Sequence, residues 1–151
     1  MQPSLPAIEE FYLCPFAELV EGAQGETGVN RCFDGSIFAR SDPQFGPMLM
    51  FGLGGIFVEV MKDVTFHIAP ITKEESLQML RSTKSFALLK GVRGQASVDL
   101  DAIAEALQRI SQLVTDFPQI VEMDINPFIV GTVGSESIAA DARITLQEPE
   151  A

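Results

Sequence analysis

The strongest constraint on this chain lies near its C-terminus. The segment EMDINPFIV (122–130) alternates polar and apolar side chains, GTVGSE (131–136) reads as a turn, and Ser137–Leu146 forms a second extended run. A period of two marks a strand with one buried face. Two such strands around a short turn form an antiparallel hairpin, so part of the chain must be antiparallel sheet resting on a core. With the turn centred between Val133 and Gly134, Asn126 falls opposite Asp141 and Asp124 opposite Arg143. Opposed residues share a face, with Cβ atoms about 4.5–5.5 Å apart. One face then carries Glu122, Asp124, Asn126, Asp141 and Arg143, and the other carries Met123, Ile125, Ala140, Ala142 and Ile144 toward the core.

A carboxylate and an amide oxygen side by side are hard donors suited to Mg²⁺, which uses few protein ligands and leaves positions for phosphate oxygens. The same pattern also reads as an Asp124–Arg143 surface ion pair beside an Asn126 that merely precedes a proline. Spacing leaves both readings open.

The remaining elements follow from periodicity and punctuation. Ala17–Glu21 suits a short strand, and 22–28 (GAQGETG) a loop. Asp34–Arg40 can extend before a turn at Asp42-Pro43. Met48–Phe51 and Ile56–Met61 read as strands, and Val64–Ile68 follows after only Lys62-Asp63, which predicts a tight hairpin over 56–68. That hairpin sets Glu59 on a face with Phe57, Met61, Val64 and Phe66, where a lone acid is costly unless paired or used. Gly52, Gly54 and Gly55 form neither a P-loop nor a dinucleotide fingerprint, since no GK[ST] follows. They suit close backbone packing or a bend. Thr72 and Glu75 fit a capping box opening a helix to about Thr83. Asp99 opens a better one, with Leu100, Ile103, Ala104, Leu107, Ile110, Val114 and Phe117 in one stripe and Pro118 as its stop. The order predicts an α+β fold, a largely antiparallel sheet with two helices on one face.

Bulk properties narrow the partners. At 151 residues the chain has the size of one domain. Its 21 acids against 10 bases give a net charge of −11, which repels nucleic acid and anionic membranes. An anionic nucleotide is still admissible where a metal and local bases offset the repulsion. The longest apolar run, Met48–Val58, falls well short of the roughly 20 residues a bilayer span needs. Cys14 and Cys32 lack metal-ligand spacing and suit reduced thiols. The N-terminus has neither the basic nor the apolar part of a signal peptide. A cytoplasmic location is expected.

Four stretches together are familiar: DPQFGPMLMFGLGGIFVEVMKDVTFHIAP (42–70), GVRG (91–94), EMDINPFIV (122–130) and AADARI (139–144). In order and spacing they resemble the NDP-forming acyl-CoA synthetases, a family that includes ADP-forming acetate–CoA ligase and is related to succinyl-CoA synthetase. The resemblance is to the C-terminal lobe of the ATP-grasp module. It covers about 34–146, leaving 1–33 as an irregular arm with an insertion and 147–151 as a tail. It implies Mg²⁺ and ATP or ADP as cofactors, with phosphate passed to or from a phosphohistidine as an acyl-CoA thioester is made or cleaved. Asn126 and Asp141 match the family's metal ligands. Glu59 sits in the family's FVEV stretch as a candidate nucleotide-site residue, and Arg93 in GVRG could contact phosphate with its guanidinium fork. The structural alternatives are Glu59 paired to a base such as Arg93, and a loop-fixing ion pair at Arg93. Glu21 corresponds to the interlobe strand that contacts adenine and ribose, and Asp34 stands where the family often has glutamate. His67, on a predicted strand, reads as structural, because the family's phosphohistidine segments have no counterpart here.

The family's N-terminal lobe, CoA-binding and ligase domains have no match in the sequence. The expected chain is therefore incomplete alone, acting with subunits or domains that supply those parts. The alternatives are a truncated paralogue kept as a nucleotide-binding or assembly module, and a remnant that binds nothing specific. Apolar surface bared by the missing lobe predicts a homo-oligomer.

Overall fold

Each apolar alternation in the described chain becomes a strand of a single sheet. The computed structural model describes residues 33–54, 59–91 and 96–148. Strand β1 (Phe33–Asp42) turns into β2 (Gly46–Leu53). The Asp42 carboxylate shapes that turn by accepting the N–H groups of Gln44 and Phe45 at 2.8 and 3.0 Å. Gly46 closes it at a φ of +75°, a left-handed value that glycine tolerates best. β2 pairs outward with β3 (Val64–Ile68), and β1 pairs inward with β4 (Ile120–Val130). Beyond β4 lie β5 (Ile138–Ala139) and β6 (Ala142–Leu146), and every pairing is antiparallel.

Helices α1 (Lys73–Arg81) and α3 (Leu100–Asp116) cover one face of this sheet, joined through the short α2 (Phe86–Leu89). The capping box predicted at Thr72 forms in full: Glu75 donates its N–H to the Thr72 hydroxyl, and its carboxylate accepts the Thr72 N–H at 2.7 Å. Asp99 caps α3 through the N–H of Ala102 at 2.9 Å. The α3 stripe of Ile103, Leu107, Ile110 and Val114 is buried in one core with Ile37, Leu49, Phe51, Met123 and Ile125 of the sheet. Two polar ties fix the helices. Ser111, fully enclosed, accepts the N–H of Ile71 at 2.7 Å, and the Thr65 hydroxyl of β3 donates to the Met79 carbonyl of α1 at 3.1 Å.

The opposite face of the sheet is bare of helices. Strand register sets Phe38, Met48, Met50, Val64, Phe66 and Ile68 on it, with Phe66 59% and Ile68 46% exposed. An antiparallel sheet with one solvated face normally shows polar residues there. The β1–β3 half of this one is apolar.

The described part of the predicted 56–68 hairpin, residues 59–68, is not a hairpin. β3 pairs with β2, from Met48 opposite Ile68 to Gly52 opposite Val64. Glu59 has helical backbone and Val60–Met61 a turn, all three exposed. Lys62-Asp63 is not a two-residue loop, because Lys62 takes a φ of +53° and Asp63 is anchored inward. The Asp63 carboxylate, 4% exposed, accepts the N–H groups of Lys84 and Ser85 at 2.8 and 2.7 Å. This bond set ties the approach to β3 to the α1–α2 junction. On the edge strand, Ala142 is exposed rather than core-facing, and only Ile144 of β6 packs partly against the core.

Burial pushes the Asp63 carboxyl up, but the adjacent Ser85 side chain, the hydrogen bonds from the Lys84 and Ser85 amides and the Lys84 charge bring it net below its ordinary value. Its stabilisation is thus complete above the unfolded value near 3.9 and is lost as pH falls through the lower folded value. Asp63→Ala leaves two amides without their acceptor and is expected to cost about 2 kcal/mol in urea unfolding at pH 7. That loss should shrink as the pH is lowered below about 4.

Candidate functional site

Proline decides the geometry of the open face at its polar end. β4 is an interior strand, and proline cannot donate to a ladder, so it is tolerated there only at an irregularity. The Asn126 N–H points to the β6 side, donating to the Asp141 carbonyl at 3.1 Å. The other edge of β4 pairs with β1. There the register slips: Gly35 pairs with Phe128 but Ile37 with Ile125, so Asn126 and Pro127 together oppose Ser36. This is a bulge, a device that re-aims side chains and recurs beside functional sites. The break between β5 and β6 at 140–141 matches it across the hairpin, with Ala140 N–H donating to the Pro127 carbonyl at 3.0 Å.

Asn126 and Asp141 are thereby brought opposite one another. Asn126 follows the buried, helix-side Ile125 and so belongs to the open face; Asp141 precedes Ala142, the residue paired with Ile125, and both Asn126 and Asp141 are exposed. The next row pairs Asp124 with Arg143, and the row beyond pairs Glu122 with Thr145. Among the described residues Asp124 and Arg143 form no ion pair: those present are Lys73–Asp101, Arg81–Glu74, Arg109–Glu105 and the looser His67–Glu75.

The donor set suits a divalent cation carried by a phosphate ligand. One amide oxygen on β4 and one carboxylate in the facing β5–β6 break are hard donors too few for an all-protein cage. Mg²⁺ is commonly held by one or two carboxylates plus substrate phosphates. Among the described residues no group of three or more His, Cys, Asp or Glu stands poised as a closed metal site. Asn126 and Asp141 are the residues that would hold the ion.

The other predicted residues are distributed differently. Glu59 is exposed on the β2–β3 connection, so the reason given for it, an acid enclosed by apolar neighbours on a strand, does not apply. Arg93 and Glu21 lie outside the described residues. Asp34 is exposed on β1, and its carbonyl accepts the Gly54 N–H at 2.6 Å. His67 lies on the helix side of β3, its Nδ1 2.9 Å from the Ile68 carbonyl and its Nε2 3.8 Å from the Glu75 carboxylate. Thr72, through its N–H and then its hydroxyl, holds that carboxylate below the usual range. The histidine belongs to the α1 cap, across the sheet from Asn126 and Asp141. Sequence reasoning missed the bulge, although the Asn-Pro pair inside an alternating strand was its signal.

Comparison with known proteins agrees with this architecture. Residues 29–146 match the ATP-grasp domain family, and the chain belongs to that family. Its described body is the α+β ATP-grasp subdomain, of the kind found in ADP-forming acyl-CoA synthetases. It is 50% identical over 109 residues to "Acetate--CoA ligase [ADP-forming] I" of Archaeoglobus fulgidus, covering 72% of this chain and 16% of that protein. It is 49% identical over 105 residues to "Acetate--CoA ligase [ADP-forming] I subunit beta" of Pyrococcus furiosus, covering 70% of this chain and 44% of that one. A solved acetyl-coenzyme A synthetase 1 of Ca. Korarchaeum cryptofilum, in complex with coenzyme A and Mg-AMPPCP, superposes with a TM-score of 0.70 at 41% identity, over 76% of this chain and 53% of the other. The chain thus spans less than half the length of these two ligases.

Because Asp124 and Arg143 are not ion-paired, neither should matter for folding. Asp124→Asn and Arg143→Gln are each expected to change the unfolding free energy by no more than about 0.5 kcal/mol in chemical denaturation without ligand.

Proposed function

We propose that this chain is the ATP-grasp portion of an ADP-forming acyl-CoA synthetase of the acetate–CoA ligase type. In this reading it binds Mg-ATP or Mg-ADP for phosphoryl transfer to or from a phosphohistidine. The observation that carries it is the opposition of Asn126 and Asp141 at the bulge, on a face that nothing else in the described fold covers. The bound metal would offset the charge of the terminal phosphates, which is most of what such a site must do for phosphoryl transfer. The chain's own part is to present both oxygens, from β4 and the facing β5–β6 break, so that the nucleotide's phosphates are held in one orientation.

Partners complete the reading. The chain spans under half of its ligase relatives, which supports a need for subunits or domains supplying the facing lobe and the CoA-binding parts. The apolar half of the open face, around Phe38, Met50 and Phe66, suits coverage by such a partner, and by a second copy of this chain in its absence. The same partial span supports the second reading, a non-catalytic module that binds nucleotide or organises an assembly. Among the described residues no helix is long and apolar enough to cross a membrane. A cytoplasmic location, where ATP is abundant, belongs to the same proposal.

Isothermal titration with ADP, with and without Mg²⁺, tests the site. Affinity should depend on Mg²⁺, and Asp141→Ala or Asn126→Ala should weaken it by about tenfold or more. Equal affinity in all cases would remove the metal assignment. Turnover only after adding the complementary subunits supports the synthetase reading, and binding without turnover in their presence supports the module.

Light scattering of the purified chain is expected to show a homo-oligomer that Phe66→Ser shifts toward monomer. A strict monomer at all concentrations would count against self-association.

A further inference from the structure

Among the described residues Arg143 stands on the open face without an ion-pair partner, and the charge balance of the chain makes that notable. A chain of net charge −11 that binds a nucleotide phosphate needs a base close to the site. Most basic side chains among the described residues are engaged elsewhere. Lys73, Arg81 and Arg109 pair with Asp101, Glu74 and Glu105 on the helices. Lys90 lies over the Phe86 ring at 5.9 Å, and Lys84 acts on Asp63. Lys62 sits on the approach to β3, away from β4 and β6.

Two bases remain on the open face. Arg40 pairs in register with Glu122, two rows and two strands from Asp141. Arg143 is two residues from Asp141 on the same side of the hairpin and one row from Asn126. Diagonal neighbours of this kind are about 7–8 Å apart, within reach of a long side chain. Arg143 also faces Asp124 directly, yet the two are not ion-paired, so its guanidinium is not spent on that carboxylate.

We infer that Arg143 is a phosphate-binding residue: its guanidinium holds a terminal phosphate oxygen of the nucleotide whose metal is held by Asn126 and Asp141. This rests on the nucleotide reading of the site. A planar fork of N–H donors matches the paired oxygens of a phosphate, which a lysine can meet only as a point charge. The amide and carboxylate then approach the phosphates through the metal, and the guanidinium approaches them directly. One row of the sheet separates the two contacts.

The test is titration of the full chain with Mg-ADP and, separately, with AMP, using wild type, Arg143→Gln, Arg143→Lys and Asp141→Ala. Arg143→Gln should weaken Mg-ADP binding by about tenfold or more, and Arg143→Lys should recover part of the loss. AMP affinity and the ligand-free melting temperature should not move. Wild-type Mg-ADP affinity in Arg143→Gln, with loss in Asp141→Ala, would overturn the assignment and leave the metal pair standing. Equal loss of AMP and Mg-ADP in Arg143→Gln would also overturn it, as an effect not specific to the terminal phosphate. Absence of Mg-ADP binding by every protein, wild type included, would overturn both this assignment and the reading beneath it.

Discussion

Helices cover only one side of the sheet, and the rest of the structure follows from that asymmetry. The α1 and α3 stripes bury Ile37, Leu49, Phe51, Met123 and Ile125, so those positions must be apolar and the strand register cannot slip. A one-residue shift in any strand would carry its apolar set to the wrong face. The Ser111–Ile71 and Thr65–Met79 bonds hold the helices to that side. In the regular stretches of β1, β2 and β4 the open-face residues are then placed by default, since they alternate with buried ones.

The open face has two characters. Across β1–β3 it is apolar, with Phe66 and Ile68 largely uncovered. Across β4–β6 it is polar, with rows of Asn126 and Asp141, Asp124 and Arg143, Glu122 and Thr145. On the function proposed above, the first suits a covering partner and the second a charged ligand. Their adjacency suits a ligand held at the edge of an interface. The relatives' chains extend well beyond the matched part, which agrees with a face built to be covered.

The bulge at Pro127 adjusts the polar half. Without it, β4 would need a ladder donor that proline lacks. With it, the slip is confined to the β1 side, while the hairpin side keeps its bonds through Asn126 and Pro127. The cost of the irregularity falls where nothing functional is proposed. The opposition of Asn126 and Asp141 is preserved where a ligand would be bound.

Much of this was legible in the sequence because it is local. The Thr72–Glu75 box, the Asp99 cap, the α3 stripe and the register of Asp124 against Arg143 depend on residues near in sequence or joined by one short turn. Two of the four motifs that carry the family resemblance, EMDINPFIV and AADARI, lie on that same hairpin. What escaped was the partner of β3: the sequence up to Met61 is as apolar as a strand, yet Glu59–Met61 are helix and turn and β3 pairs with β2. The distant amides of Lys84 and Ser85 grip Asp63 where the chain enters β3, and Glu59 lies exposed before it, outside its predicted setting. The sequence by itself determined the elements and the facing residues of the last hairpin, because neighbours in the chain set periodicity, caps and turn register. The tertiary structure alone decided which strands became neighbours and which face stayed uncovered, because those outcomes depend on burial between segments far apart in the chain.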